Sequence, residues 1–564
     1  MSSVPARTSA ATVDRRTAPV ERRWLVLVVA AVAQLMLVLD ATIVNIALPS
    51  AQQALGFSNS DRQWVVTAYA LSFGSLLLVG GRLGDMFSRK WVFITGIVGF
   101  AIASAIGGAA GSFTVLVTAR ALQGAFGAVL APSALGTLVS TFTDPRERGR
   151  AFGVFGSVAS GGGAVGLILG GVLTEYLSWR WCLYVNLVFA AIAAVGALAY
   201  FRGGRPDESP RMDWIGGVLA CAAPLAIVFG FSQAETAGWT APLTLGSLAG
   251  GVVLLVGFVV AERRVRHPLL PLRVIVDRAR GGAYVAVGIS GMAIFATFLF
   301  LTFYLQVVKG NSPLTTGLLF LPMIGSILIS SNLSSNMGFG SRALIAAGML
   351  LGAGGLVLLT QVSVTSSYLS DVLPGLLILG LGLGLIFAQA INTATTGVAR
   401  EDSGVASALV NTMQQVGGSI GTSALSTIAL SATATYLIGN QTSPLAAAIA
   451  ATHGYTTAFG VSAGLLGLGF ILAIVLLPPS GRRLADLRDV RAATPAGPGP
   501  PPTVASPAAA ASAQQHAFEA IPVALCSCSP VITPVAGSSN GPGIYPRARR
   551  FVQGLGQSRE RDLE

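Results

Sequence analysis

Charge is what this chain has least of. Only 10% of its 564 residues are Asp, Glu, Lys or Arg, and Lys90 and Lys309 are the only lysines. With 53% hydrophobic residues, a fold of this length has too little polar surface to stay in water, so soluble classes are excluded. Cysteine is also sparse: Cys182 and Cys221 stand in apolar runs and Cys526 and Cys528 near the end, too scattered for a disulfide framework. Of the histidines His267, His453 and His516, none lies deep in an apolar run, and the Cys526/Cys528 pair has no further ligand nearby, so no metal site is expected. No GxxxxGK[ST] stretch occurs, which argues against direct drive by ATP.

Apolar runs are what the sequence has in quantity. A bilayer core of about 30 Å asks for roughly 20 apolar residues per helix. Runs of that kind cover about 24–48, 64–82, 91–110, 113–136, 151–173, 182–201, 213–232, 241–261, 281–306, 313–335, 343–361, 372–391, 403–429 and 456–478, which predicts fourteen spans in an all-α polytopic membrane protein. The 69 glycines fit close packing between such helices and show no triplet period. The first run lacks a small-residue cleavage site behind it and reads as a retained span rather than a signal peptide.

The formal net charge of +12 raises nucleic-acid binding as a possibility, and the placement of the charges removes it. The arginines gather in alternate loops: before 24, around 82–90, 146–150, 202–211, 263–280, at Arg342 and Arg400, and at Arg482 and Arg483. The other set of loops holds Arg62, Arg180 and Lys309. Basic loops stay on the cytoplasmic side, so an even span count puts both termini there. The chain then divides into a cytoplasmic segment 1–23, a bundle 24–201, a linker 202–280 with two helices, a second bundle 281–478, and a Pro/Ala/Ser/Gly-rich tail 479–564 expected to be disordered.

Ionisable groups inside spans are costly and therefore informative. Asp40 lies in the first run and Arg120 in the fourth, each roughly 10–14 Å from the same membrane surface by helical rise. A buried acid and base at one depth can stabilise each other, and protonating the acid would free the arginine; the alternative is a static tie between two helices. The turn 81–90 combines Gly81, Gly84, Asp85, Arg89 and Lys90, a set suited to a tight helical turn and an inner gate, or to an orientation-setting basic loop alone. Gly162, Gly166, Gly170 and Gly171 give the fifth run small-residue faces for close packing or for a hinge.

These residues resemble the major facilitator superfamily, in particular its fourteen-span drug:proton antiporter branch, over roughly 24–478. The stretch 39–49 (Leu-Asp-Ala-Thr-Ile-Val-Asn-Ile-Ala-Leu-Pro) is similar to the branch's first-span signature, 81–90 to the superfamily's loop motif, and Arg120 with Gln123 and Gly124 to its fourth-span motif. Further echoes are 178–181 with Asn186, 304–306 followed by 312–317, and 404–418. Three departures stand beside them: Ser88 replaces a usual glycine, the second-half copy of the loop motif near 338–342 is degenerate, and Gly166 precedes Leu167 where the antiporter motif has Gly-Pro. The tenth and thirteenth spans lack the acids that exporters of dicationic antiseptics carry, which disfavours such substrates.

The resemblance implies two six-helix bundles with two inserted helices, a substrate cavity between the bundles, and export of small, largely apolar drugs in exchange for protons across the bacterial cytoplasmic membrane. Candidate cavity residues are Gln34, Asn45, Trp64, Tyr69, Gln123, Tyr304, Gln306, Gln389 and Asn392. No cofactor is expected beyond the proton gradient, and the partners are the small-molecule substrate, protons and lipid, with no nucleic acid and a single copy of the chain. Uptake by proton symport uses the same fold and stays open, as does, in another class, a membrane sensor or membrane-embedded enzyme.

Overall fold

A computed structural model describes residues 20–201, 203, 213–265, 268–337, 339–398, 402–439 and 445–479; the tail, with Cys526 and Cys528, lies outside the described residues. No strand occurs among them. The helices of the first half are α1 (Val20–Leu55), α2 (Arg62–Met86), α3 (Arg89–Gly108), α4 (Phe113–Thr141), α5 (Pro145–Tyr176) and α6 (Trp181–Tyr200). Two more follow, α7 (Trp214–Ala237) and α8 (Pro242–Arg264), then the short α9 (Leu272–Val276). The second half contains α10 (Arg278–Phe303), α11 (Pro313–Leu319), α12 (Leu321–Asn336), α13 (Ser341–Leu359), α14 (Leu373–Thr395), α15 (Ser403–Gly439) and α16 (Ala446–Leu476). One π turn, Tyr304–Val308, closes α10, and another, Tyr368–Val372, opens α14.

Helix starts follow local chemistry. Asp144 accepts from the N–H groups of Arg146 and Glu147 with Pro145 in the first turn of α5, and Ser312 does the same for α11 ahead of Pro313. Ser112, Asp213 and Asp277 cap α4, α7 and α10. Between the caps the helices expose large apolar side chains such as Val28, Trp91, Ile102, Val195, Val253, Leu350 and Ile471. A belt of this kind suits lipid and would aggregate in water.

Thirteen helical segments among the described residues are long and apolar enough to cross a membrane, one fewer than the expected fourteen. The segment missing from that set is α15, whose Ser, Thr and Gln residues lower its apolarity although much of it is buried. Its Ser423 and Thr427 hydroxyls donate to the Val228 and Phe231 carbonyls of α7 at 3.1 and 2.8 Å, so its polar groups face protein. The run 313–335 is also not one helix, because it breaks at Phe320 between α11 and α12.

The halves meet chiefly along two seams. On one, α2 packs against α15, where a Cβ on Gly74 would fall 2.8 Å from Gln415 Cβ. On the other, α5 crosses α11: a Cβ on Gly171 would fall 2.5 Å from Leu314 Cα, and one on Gly317 2.4 Å from the Leu167 carbonyl oxygen. Gln306 Nε2 donates to the Ile46 carbonyl at 2.9 Å, and Leu314 N–H to Glu175 Oε2 at 3.0 Å, at the end remote from the basic loops. There too Arg62, counted in the sequence as a loop charge, is buried, with its guanidinium 4.2 Å from the Phe303 ring and donating to Tyr455 Oη at 3.3 Å.

Candidate functional site

Asp40 is fully buried on α1 and accepts three hydrogen bonds. Arg120 Nη1 donates to Oδ2 at 2.6 Å; Gln123 Nε2 and Asn186 Nδ2 donate to Oδ1 at 2.9 and 2.7 Å. The acid thus joins α1 to α4 and α6. Arg120 has further contacts: Nη1 also donates to Gln123 Oε1 at 2.8 Å, Nε to the Val65 carbonyl at 3.2 Å, and the guanidinium lies 4.3 Å from the centre of the Tyr69 ring. Ser104 extends the network by accepting from Gln123 Nε2 at 2.7 Å.

Glycine makes this closeness possible. A Cβ on Gly124 would stand 2.3 Å from the Tyr69 carbonyl oxygen, so only glycine lets α4 press against α2 one turn beyond Arg120. The result is an ion pair out of water held by several hydrogen bonds, with the buried Asn186 Oδ1 left without a partner.

The nine cavity candidates do not gather in one place. Gln123 belongs to the Asp40 network and Tyr69 covers its arginine. Asn45 bonds its own helix at the Ala41 carbonyl, and Gln34 is half-buried on α1. Trp64 Nε1 donates to Ser232 Oγ of α7 at 3.0 Å, Tyr304 Oη to the Ser363 carbonyl at 2.8 Å, and Gln306 to Ile46 as described. Gln389 links the Ser341 hydroxyl to the Ser334 carbonyl, and Asn392 is exposed near the end of α14.

In the turn after α2, Arg89 Nη1 donates to the Gly136 carbonyl at 2.9 Å and Lys90 Nζ to the Leu198 carbonyl at 2.7 Å, placing cations near the C-terminal ends of α4 and α6. The Asp85 side chain lies outside the described residues. Gly81 and Gly84 have ordinary space around them, whereas Gly80, which the sequence did not single out, meets the Ala128 carbonyl at 2.1 Å from its Cβ position. On α5 the Cβ positions of Gly162, Gly166 and Gly170 approach Val38, Thr42 and Ile43 of α1 within 3.1, 2.0 and 2.8 Å, while Gly171 faces the other half.

Sequence comparison agrees with this architecture. Residues 30–422 match the profile of the Major Facilitator Superfamily. The chain belongs to that superfamily. It is 47% identical to the puromycin resistance protein pur8 of Streptomyces alboniger over 85% of this chain and 96% of the relative. It is 36% identical to the cephamycin export protein CmcT of Amycolatopsis lactamdurans over 82% and 93%, and 33% identical to the lincomycin resistance protein of Streptomyces lincolnensis over 86% and 96%. The crystal structure of a bacterial homolog to the human lysosomal transporter Spinster, inward-facing and unoccupied, shares the fold at a TM-score of 0.60 and 14% identity, over 81% of this chain and 97% of that one.

This member of the Major Facilitator Superfamily is a multi-pass membrane transporter of small molecules, not an enzyme. Asn186, which donates to Asp40, and Ser104, which accepts from Gln123, were not among the candidate site residues. The sequence marked Asn186 only as an echo of the family beside 178–181, an uncharged amide within an apolar run.

Proposed function

We propose that this transporter exports small, largely apolar antibiotics across the bacterial cytoplasmic membrane in exchange for protons, with both termini in the cytoplasm. The carrying observation is the Asp40–Arg120 pair, fully out of water and held by two further amide donors. A proton arriving at an Asp40 oxygen removes the anion that holds Arg120 Nη1. Arg120 then keeps its contacts to Gln123, the Val65 carbonyl and Tyr69, and the tie between α1 and α4 weakens. The glycine face of α5 lets α1 shift against it, and the α5–α11 crossing at Gly171 opens the end sealed in this structure. In the turn 81–90, Asp85 and Arg89 act as the gate at the basic end. One copy suffices, because the Asp40 network and both halves belong to a single chain, and the proton gradient is the only energy source required.

The names of the relatives put puromycin, cephamycin and lincomycin at the head of a substrate panel. The test is transport in inverted vesicles with and without an imposed pH difference. Wild type should accumulate at least one panel compound only when the gradient is present. Asp40→Asn should lose that uphill accumulation while still binding a neutral compound. Wild-type uphill rates in Asp40→Asn would refute the coupling role and leave the pair as a structural tie.

A further inference from the structure

The helices inserted between the halves carry a second set of buried acids, remote in sequence from Asp40. Asp213 caps α7 and Glu262 lies in the last turn of α8; they are 6% and 4% exposed. Each has one oxygen satisfied by the backbone: Gly216 N–H donates to Asp213 Oδ1 at 2.9 Å and Leu270 N–H to Glu262 Oε2 at 3.1 Å. The remaining oxygens, Asp213 Oδ2 and Glu262 Oε1, have no partner. Both are aimed at one spot, because a Cβ on Gly216 would lie 2.5 Å from the first and 2.7 Å from the second.

Neither acid forms an ion pair among the described residues. The charged residues on the elements packed around them are Arg82 on α2, Arg263 and Arg264 at the end of α8, and Arg273 on α9, which is bound to Asp402 through Nε at 2.7 Å and Nη2 at 3.1 Å. The Asp85 side chain, Arg211, Arg266 and His267 lie outside the described residues. Two carboxylates that converge with no ion-pair partner among the described residues repel when shielded from water, and one proton between them removes the repulsion.

We propose that Asp213 and Glu262 share a single proton, which makes the inserted helix pair a proton-binding site separate from Asp40. Helix ends decide where the proton rests. Asp213 stands at the N-terminus of α7, where the helix dipole favours an anion, and Glu262 near the C-terminus of α8, where it disfavours one. The proton therefore rests on the Glu262 side, with Asp213 Oδ2 facing it across the space beside Gly216. When that proton leaves to water, the carboxylates push apart, and the strain falls on the segment Glu262 holds through Leu270. That segment leads into α9, whose Arg273 grips Asp402 just ahead of α15, so protonation here is linked to the second half of the transporter.

Infrared titration of the full chain in nanodiscs tests this without any transport step, so its outcome is independent of the role proposed for Asp40. Wild type should show a protonated-carboxyl band at neutral pH that is diminished in Glu262→Gln. In Asp213→Asn the midpoint for loss of that band should fall by about one pH unit, the scale of a neighbouring like charge. Equal band intensity in wild type and Glu262→Gln would overturn the proposal, and so would an unmoved midpoint in Asp213→Asn. Repeating the wild-type titration in sodium and in choline separates a proton from a metal ion: a band lost in sodium alone marks a cation site and ends the proposal.

Discussion

Asp40 draws its hydrogen bonds from two kinds of donor, a charged guanidinium and the neutral amides of Gln123 and Asn186. Substitutions at Arg120 therefore separate charge from geometry. Arg120→Ala leaves a buried carboxylate without a counter-charge, a loss on the order of 3–5 kcal/mol, and should lower the unfolding midpoint in detergent as well as abolish coupled transport. Arg120→Lys keeps the charge but loses the planar fork that serves Asp40, Gln123 and the Val65 carbonyl together, so transport should be impaired and less severely. Equal damage from both variants in the same vesicle assay would assign the whole effect to the fork. Asp40 and Arg120 were legible in the sequence because a charge in an apolar run needs a reason. The partnership of Asn186 with Asp40, 146 positions away, was not, since a neutral amide in a helix costs little and carries no mark of its partner.

Elements differ in how their glycines are used. Gly162, Gly166 and Gly170 fit α5 to α1 inside one half, and Gly171 alone of the four presses on a backbone of the other half. Gly171→Leu should therefore insert normally yet hold the α5–α11 crossing apart; a shift of about 1.4 kcal/mol in that equilibrium already changes state populations tenfold. Turnover at the wild-type level in this variant would remove the crossing from the transport cycle. At the other end of the molecule, Arg89→Ala deprives the Gly136 carbonyl of its donor. With Asp85→Asn as its companion, the expected outcome is slower cycling with substrate binding and membrane insertion retained, read by comparing binding titrations with vesicle flux. Normal flux in both variants would leave the turn a topological signal only. The small-residue pattern was plain in the sequence; which helix each glycine touches was not, because glycines a few positions apart point in different directions round a helix.

Across the whole molecule, α7 lies beside the seam between the halves. It takes a hydrogen bond from Trp64 of α2 at Ser232 and others from Ser423 and Thr427 of α15 at its carbonyls. The sequence places the inserted pair between the bundles in chain order and says nothing of this bridging position. Orientation is tested at the same scale: reporter fusions at Arg23 and after Pro479 should be active only as cytoplasmic reporters, and activity on the outer face would reverse the proposed topology.

Apolar runs of helical length, loop arginines and a few unavoidable charges are properties of the chain by itself, because lipid rejects unpaired backbone and charge wherever they fall. They were enough to determine a helical membrane protein and to mark Asp40 and Arg120 as the residues to watch, while the family followed from the resemblance of stretches such as 39–49 and 81–90. The span count was less certain, since α15 hides its Ser, Thr and Gln groups against other helices and so need not be apolar. Tertiary structure alone decided the rest. Trp64, Tyr304, Gln306 and Gln389 are polar or aromatic groups in apolar helices, and only folding shows that each is bonded to a neighbouring element. Asn186 joined Asp40, and Asp213 met Glu262, for the same reason: a short polar side chain acquires its role from what folding brings within about 3 Å, and distance in sequence carries no record of that.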